Sequence, residues 1–152
     1  MDRREFAVLV GVAAFQHQHA ALRKDPGSYK AQFLTAAELE QVAEAAEAML
    51  PGARQVSVAN HIDLVLTYSE PERQRRFRKG LQAFAAAPGA VEERFASLAP
   101  AEAKPSTDAE RFFAMLKGMT LFAYYTSKQG IRGELGFLGN QVRGSFPGCE
   151  GQ

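Results

Sequence analysis

The side chains that could carry chemistry in this chain are few and scattered. His17 and His19 flank Gln18; residues two apart on a helix face different ways, so the pair lacks the i, i+4 spacing of a chelate. His61 stands two residues before Asp63, again without a shared helical face. Asn60-His61-Ile62-Asp63 reads as a cap, a core-edge contact or a partner contact more readily than as an acid/base pair. Cys149 lies between Gly148 and Glu150. A nucleophilic thiolate needs a base or an electropositive setting, and the adjacent Glu150 disfavours one. The run Arg73-Gln-Arg-Arg-Phe-Arg-Lys79 could grip phosphate, but Glu70 and Glu72 precede it. On a helix its charges spread round the cylinder as a solvated or salt-bridged face. The C-terminal glycines form neither Gly-x-Gly-x-x-Gly nor a Walker sequence. Tyr124-Tyr125 is either core or an interface, since amphipathic aromatics suit both. No catalytic, cofactor-binding or metal-binding residue is therefore assigned in this chain.

Composition narrows the classes further. With 152 residues the chain is about one domain, and with 46% hydrophobic and 23% charged residues it can bury a core. Lys+Arg 18 against Asp+Glu 17 gives a formal charge of +1, without the basic excess of a dedicated nucleic-acid binder. One cysteine excludes an intrachain disulfide and a cysteine-cluster metal site. No 18-residue apolar run reads as a membrane span.

The elements that position these residues read as helices. Met1-Asp-Arg-Arg-Glu-Phe6 leads into an apolar run from Phe6 to Phe15. Arg3, Arg4 and Phe6 fit the start of a twin-arginine export signal, although no clear Ala-x-Ala cleavage site follows. The other reading of residues 1–24 is an amphipathic helix kept in the mature protein. Residues 25–34, with Pro26-Gly27, read as a linker. Thr35-Ala-Ala-Glu38 is a capping box opening a helix with an apolar face at Leu39, Val42, Ala43, Ala46, Met49 and Leu50, stopped by Pro51-Gly52. Val58, Ile62, Val65 and Leu66 mark a second helix. Ser69 is a plausible cap for a third, with Phe77, Leu81 and Phe84 on one side. A short helix carries Val91, Phe95 and Leu98. Thr107-Asp-Ala-Glu110 caps the longest helix, about 108–128, which is apolar on more than one face and so expected at the centre, with Phe112, Phe113, Leu116, Met119, Leu121 and Phe122 buried.

Seven of the thirteen glycines fall after residue 129, a density that opposes regular helix or strand. The expected fold is all-α, a compact bundle of about five helices. It has a helical body at 35–129 and a glycine-rich irregular tail at 130–152.

Several blocks together resemble one family. Phe113-x-x-Leu116-x-x-x-Thr120-x-x-x-Tyr124-Tyr125-Thr126-Ser127-x-x-Gly130, then Leu135-Gly136-Phe137-x-Gly139 and Gly144-x-x-x-Gly148-Cys149, resemble the C-terminal signature of the gluconate 2-dehydrogenase subunit 3 family. Upstream, Phe33-Leu-Thr-x-x-Glu38, Leu50-Pro51-Gly52, Val58-x-x-x-Ile62-Asp63 and Leu81-x-x-Phe84 agree with it. The resemblance implies a non-catalytic small subunit of a sugar or polyol dehydrogenase complex. Its catalytic large subunit would be a flavoprotein of the glucose-methanol-choline type holding FAD, and a cytochrome c subunit could accept the electrons. It further implies help in folding the large subunit and, through Arg3, Arg4 and Phe6, twin-arginine export of the pair to the periplasm; a cytoplasmic location is the alternative. Tyr124, Tyr125, Thr126, Leu135, Phe137, Leu138 and Phe146 are the residues expected at the partner interface.

Two other classes remain open from sequence. One is a free-standing helical ligand-binding or scaffold protein. The other is an enzyme built on Tyr124, Tyr125, His61 or Cys149.

Overall fold

The computed structural model describes residues 29–139. Five α-helices follow one another: α1 (Ala36–Met49), α2 (Val58–Thr67), α3 (Pro71–Ala86), α4 (Val91–Leu98) and α5 (Asp108–Tyr125). A 3-10 turn, Ala99–Ala101, extends α4, and a π-helical turn, Gln129–Glu134, follows α5. No strand occurs among the described residues, so the all-α expectation holds for them.

Both capping boxes form. The Thr35 hydroxyl accepts from the Glu38 N–H while the Glu38 carboxylate accepts from the Thr35 N–H, and Thr107 and Glu110 repeat the exchange at the start of α5. Each satisfies amide groups that the first helical turn leaves without partners. Ser69 does not cap α3. Glu70 occupies that position with no side-chain bond, Pro71 sits in the first turn, and the Ser69 hydroxyl instead donates back to the Val65 carbonyl. Proline already fixes the backbone angle the first turn needs, which relieves the demand for a capping side chain.

Helix α5 is central, packing on α1, α2, α3 and α4. Its closest approach is to α3. A Cβ at Gly80 would stand 2.5 Å from Phe112 Cβ and 2.8 Å from the Asp108 carbonyl oxygen, so only glycine permits that crossing. Around this contact runs an aromatic ladder. Phe77 meets Phe112 edge-on at 5.2 Å, Phe112 meets Phe84 at 5.4 Å, Phe84 stacks on Phe95 at 5.3 Å, and Phe95 meets Phe113 at 5.4 Å. Such pairs contribute about 0.5–1.5 kcal/mol each beyond their buried area.

Three expectations need correction. Leu121 and Phe122 are not core: they are 38% and 63% exposed, whereas Phe112, Phe113, Leu116 and Met119 are buried as expected. The periodicity of α5 is apolar on more sides than the neighbouring helices cover. The segment just before α1 is not a free linker, because Tyr29 to Leu34 is hydrogen-bonded to α2. Finally, the glycines at 130 and 133 do not end regular structure at residue 129. They lie inside the π-helical turn, where Gly130 is required because a Cβ there would overlap the Tyr124 carbonyl oxygen.

Gly80→Ala should destabilise the fold by about 1–3 kcal/mol, the usual cost of overpacking, despite alanine's higher helix propensity. The midpoint of urea unfolding reads this directly; an unchanged or raised midpoint would mean that α3 and α5 can separate at no cost.

Candidate functional site

The most buried charge in the described chain is Asp63, whose side chain is fully enclosed on α2. Both carboxylate oxygens are occupied. Oδ2 accepts from the Tyr29 hydroxyl at 2.6 Å and the Gln32 N–H at 2.8 Å, and Oδ1 accepts from the Phe33 and Leu34 N–H groups at 3.1 and 2.7 Å. Three successive amides converging on one anion satisfy a charge that could not otherwise be buried. Burial first, and then the bond to Asp63, push the Tyr29 phenol above its ordinary range. This is a structural role, close to the cap that the sequence offered as one reading of the Asn60–Asp63 block.

The same lead-in segment is held from the other side by α3. Arg78 donates to the Phe33 carbonyl at 2.8 Å and to Glu38 at 3.1 Å, and its guanidinium lies 4.3 Å over the Phe33 ring. Although burial opposes it, the Thr35 hydrogen bonds and the Arg78 charge hold the Glu38 carboxyl below the usual range. The other cations of the basic run are largely spent on surface pairs, Arg75 and Arg76 on Glu72 and Lys79 on Asp108. Arg73 has no carboxylate partner among the described residues.

Possible reactive groups are not brought together. The His61 ring lies 6.1 Å from that of Phe122, and burial pushes its pKa below the ordinary imidazole value. Tyr124, by contrast, is buried at the end of α5, donates to Glu134 and lies beside Gly52. The bond to Glu134, with burial, raises the phenol pKa. Its ring meets Tyr125 edge-on at 5.3 Å. Among the described residues no cluster of three or more metal-ligating side chains occurs, and no helix is long and apolar enough to cross a membrane. His17, His19 and Cys149 lie outside the described residues, as do Arg3, Arg4, Phe6 and Phe146.

What remains is surface for contact. Leu135, Phe137 and Leu138 follow the π-helical turn and are 63%, 51% and 84% exposed. Thr126, also expected at an interface, turns its hydroxyl back to the Phe122 carbonyl at 2.6 Å. Tyr124 belongs to the interior. The Asp63 clamp was missed as a unit by sequence reasoning, and its available signal was the pairing of Phe33-Leu-Thr with Ile62-Asp63.

Among the described residues, the buried carboxylate of Asp63 serves as a tie and the other titratable side chains are dispersed. Residues 36–106 match the model of the family described as Gluconate 2-dehydrogenase subunit 3. The match bears out the resemblance over the segment from α1 to the connector before α5. That family is one of accessory subunits of multi-subunit dehydrogenase complexes. The blocks from Phe113 onward lie beyond the matched residues. No curated protein and no solved structure matches the chain.

Asp63→Asn replaces an acceptor by a group that also carries donors facing three amides and a hydroxyl. It should cost about 3 kcal/mol or more and release the segment 29–34, seen as faster exchange of the Phe33 and Leu34 amides; protection equal to the parent's would refute the clamp.

His61 gives a separate test by pH. Its folded pKa is below the unfolded value of about 6.5, so its contribution is complete above that pH and is lost as pH falls toward the folded pKa. Glu38, Glu47 and Glu110 are likewise held low, Glu110 at about 2 by the Thr107 and Ser106 N–H groups and the Ser106 hydroxyl. Their contributions fade only below their ordinary range of about 4.5. Unfolding midpoints should therefore decline as pH falls below about 6.5 in the parent and decline less in His61→Gln; parallel profiles would show that His61 is not the cause.

Proposed function

We propose that this chain is the non-catalytic small subunit of an FAD-dependent sugar or polyol dehydrogenase whose catalytic subunit is of the glucose-methanol-choline type. The observation that carries the reading is the family match over α1 to α4, in a chain whose described tyrosines, His61 and carboxylates are not assembled into a reactive set. FAD belongs to the partner in this reading. The described residues form no strand, so the strand, glycine-rich loop and helix that cradle a dinucleotide have no place among them. A cytochrome c subunit is the proposed electron acceptor, and assistance in folding the large subunit is the proposed service.

The partner is proposed to dock on the end of α5 and the segment after it. Leu135, Phe137 and Leu138 offer exposed apolar anchors, Tyr125 is half-exposed at the end of α5 before the π-helical turn, and Phe146 extends the series. Apolar side chains grouped in this way are more typical of an interface than of a free surface. Tyr124 contributes by holding Glu134, and so the turn, in place. Removing residues 131–152 would also remove Glu134, so substitution is the cleaner test. Leu135→Ser with Phe137→Ser and Leu138→Ser should leave the helical signal intact and weaken co-purification with the co-expressed flavoprotein at least about tenfold, the loss expected of even one interface anchor. Undiminished co-purification would move the interface elsewhere.

Export follows the same logic one step further out. Arg3, Arg4 and Phe6 stand ahead of an apolar run, and we read them as a twin-arginine signal that takes the folded large subunit to the periplasm. Arg3→Lys with Arg4→Lys should keep dehydrogenase activity in the cytoplasm while the purified complex stays active. Unchanged periplasmic activity would remove export and leave the subunit assignment standing.

A further inference from the structure

Between α2 and α5 lies an open groove of about 380 Å³. His61, Val65, Arg73, Met115, Gly118 and Phe122 line it. Two observations mark it as a seat awaiting a segment of polypeptide. Phe122 is 63% exposed at its edge, which leaves an apolar ring in water beside apolar walls. No atom lies within 4 Å of a Cβ built on Gly118, so another backbone can come close to α5 there.

We propose that this groove is occupied by the chain's own N-terminal apolar run, Phe6 to Phe15. The run is ten residues long without a charge, matching walls built from Val65, Met115 and Phe122. Residues 16–28 join it to Tyr29, the first described residue. Thirteen residues reach at most about 43–47 Å when extended. That suffices to pass round α2, about 10–12 Å across, from the Asp63 side to the His61 side. Charge agrees as well. Arg73 at the groove has no carboxylate partner among the described residues, and Glu5 stands directly before the run. Seating the run would cover Phe122 and, in the same act, remove from water an apolar segment that would otherwise promote association.

Groove occupancy and export are separable, since Arg3→Lys with Arg4→Lys alters neither the apolar run nor its seat. The test uses the full chain and hydrogen exchange of the amides of residues 6–15. In the parent these should exchange at least roughly tenfold slower than in Gly118→Lys, whose side chain enters open space and fills the groove. A second variant, Phe6→Asp with Val10→Asp, lies outside the helical body and keeps the test decisive if Gly118→Lys fails to fold. It should shift the Met115 methyl resonance and the His61 ring resonances of the folded chain.

Glu5→Arg combined with Arg73→Glu should restore protection that either change alone reduces. Free-peptide exchange rates for residues 6–15 in the parent would overturn the proposal, as would protection that survives Gly118→Lys. So would Met115 and His61 signals indifferent to Phe6→Asp with Val10→Asp. Protection that grows with protein concentration would assign the groove to a second copy, and Met115 signals that move only on adding the dehydrogenase large subunit would assign it to that partner.

Discussion

A carboxylate with no access to water organises the amino-terminal half of this protein. Asp63 sits in the middle of α2, and its burial is tolerable only because Tyr29, Gln32, Phe33 and Leu34 all donate to it. These donors come from a stretch 29 to 34 residues earlier in the chain, so the bonds fix where the chain enters α1 and how α1 sits on α2. Arg78 completes the arrangement from α3 by holding the Phe33 carbonyl and Glu38. The α1 capping box is thereby linked to a tertiary ion pair, and local helix initiation and long-range packing share one side chain, Glu38.

The carboxy-terminal half depends instead on the absence of side chains. Gly80 lets α5 approach α3 until Phe112 and the Asp108 carbonyl fill the space a Cβ would take. Gly130 lets the chain fold back against Tyr124, and Gly52, at a φ of 94°, turns the chain beside the Tyr124 hydroxyl that donates to Glu134. The glycines around α5 therefore do two kinds of work, since those inside the body allow close packing and those after residue 135 let the backbone turn, as the positive φ of Gly136 and Gly139 records. The lead-in to α1 and the exit from α5 are both anchored, and the exposed Leu135, Phe137 and Leu138 lie beyond the second anchor.

Much of this was legible in the sequence because it is written in local patterns. Thr35 to Glu38 and Thr107 to Glu110 read as capping boxes and are so, and the spacing of Phe77, Leu81 and Phe84 located the buried face of α3. What escaped depends on partners distant along the chain. Nothing near Asp63 says that its carboxylate will meet amides at 32–34. Periodicity also marks how many faces of α5 are apolar, but not how many neighbours arrive to cover them, which is why Leu121 and Phe122 were expected inside. Ser69 had the right type for a cap, yet Pro71 made one unnecessary. For the interface residues, type alone could not separate Tyr124, which turned inward to Glu134, from Leu138, which did not.

The Asp63 clamp also decides where mechanical load enters the molecule. Tension on the leading segment reaches Tyr29 first, and from there the bonds to Asp63 carry it into the middle of α2 rather than along the axis of α1. Four hydrogen bonds in parallel to one buried carboxylate make a strong handle, while the amino-terminal end of α1, lying just behind them, is shielded from unwinding. The helical body can thus be towed by its front end and arrive folded.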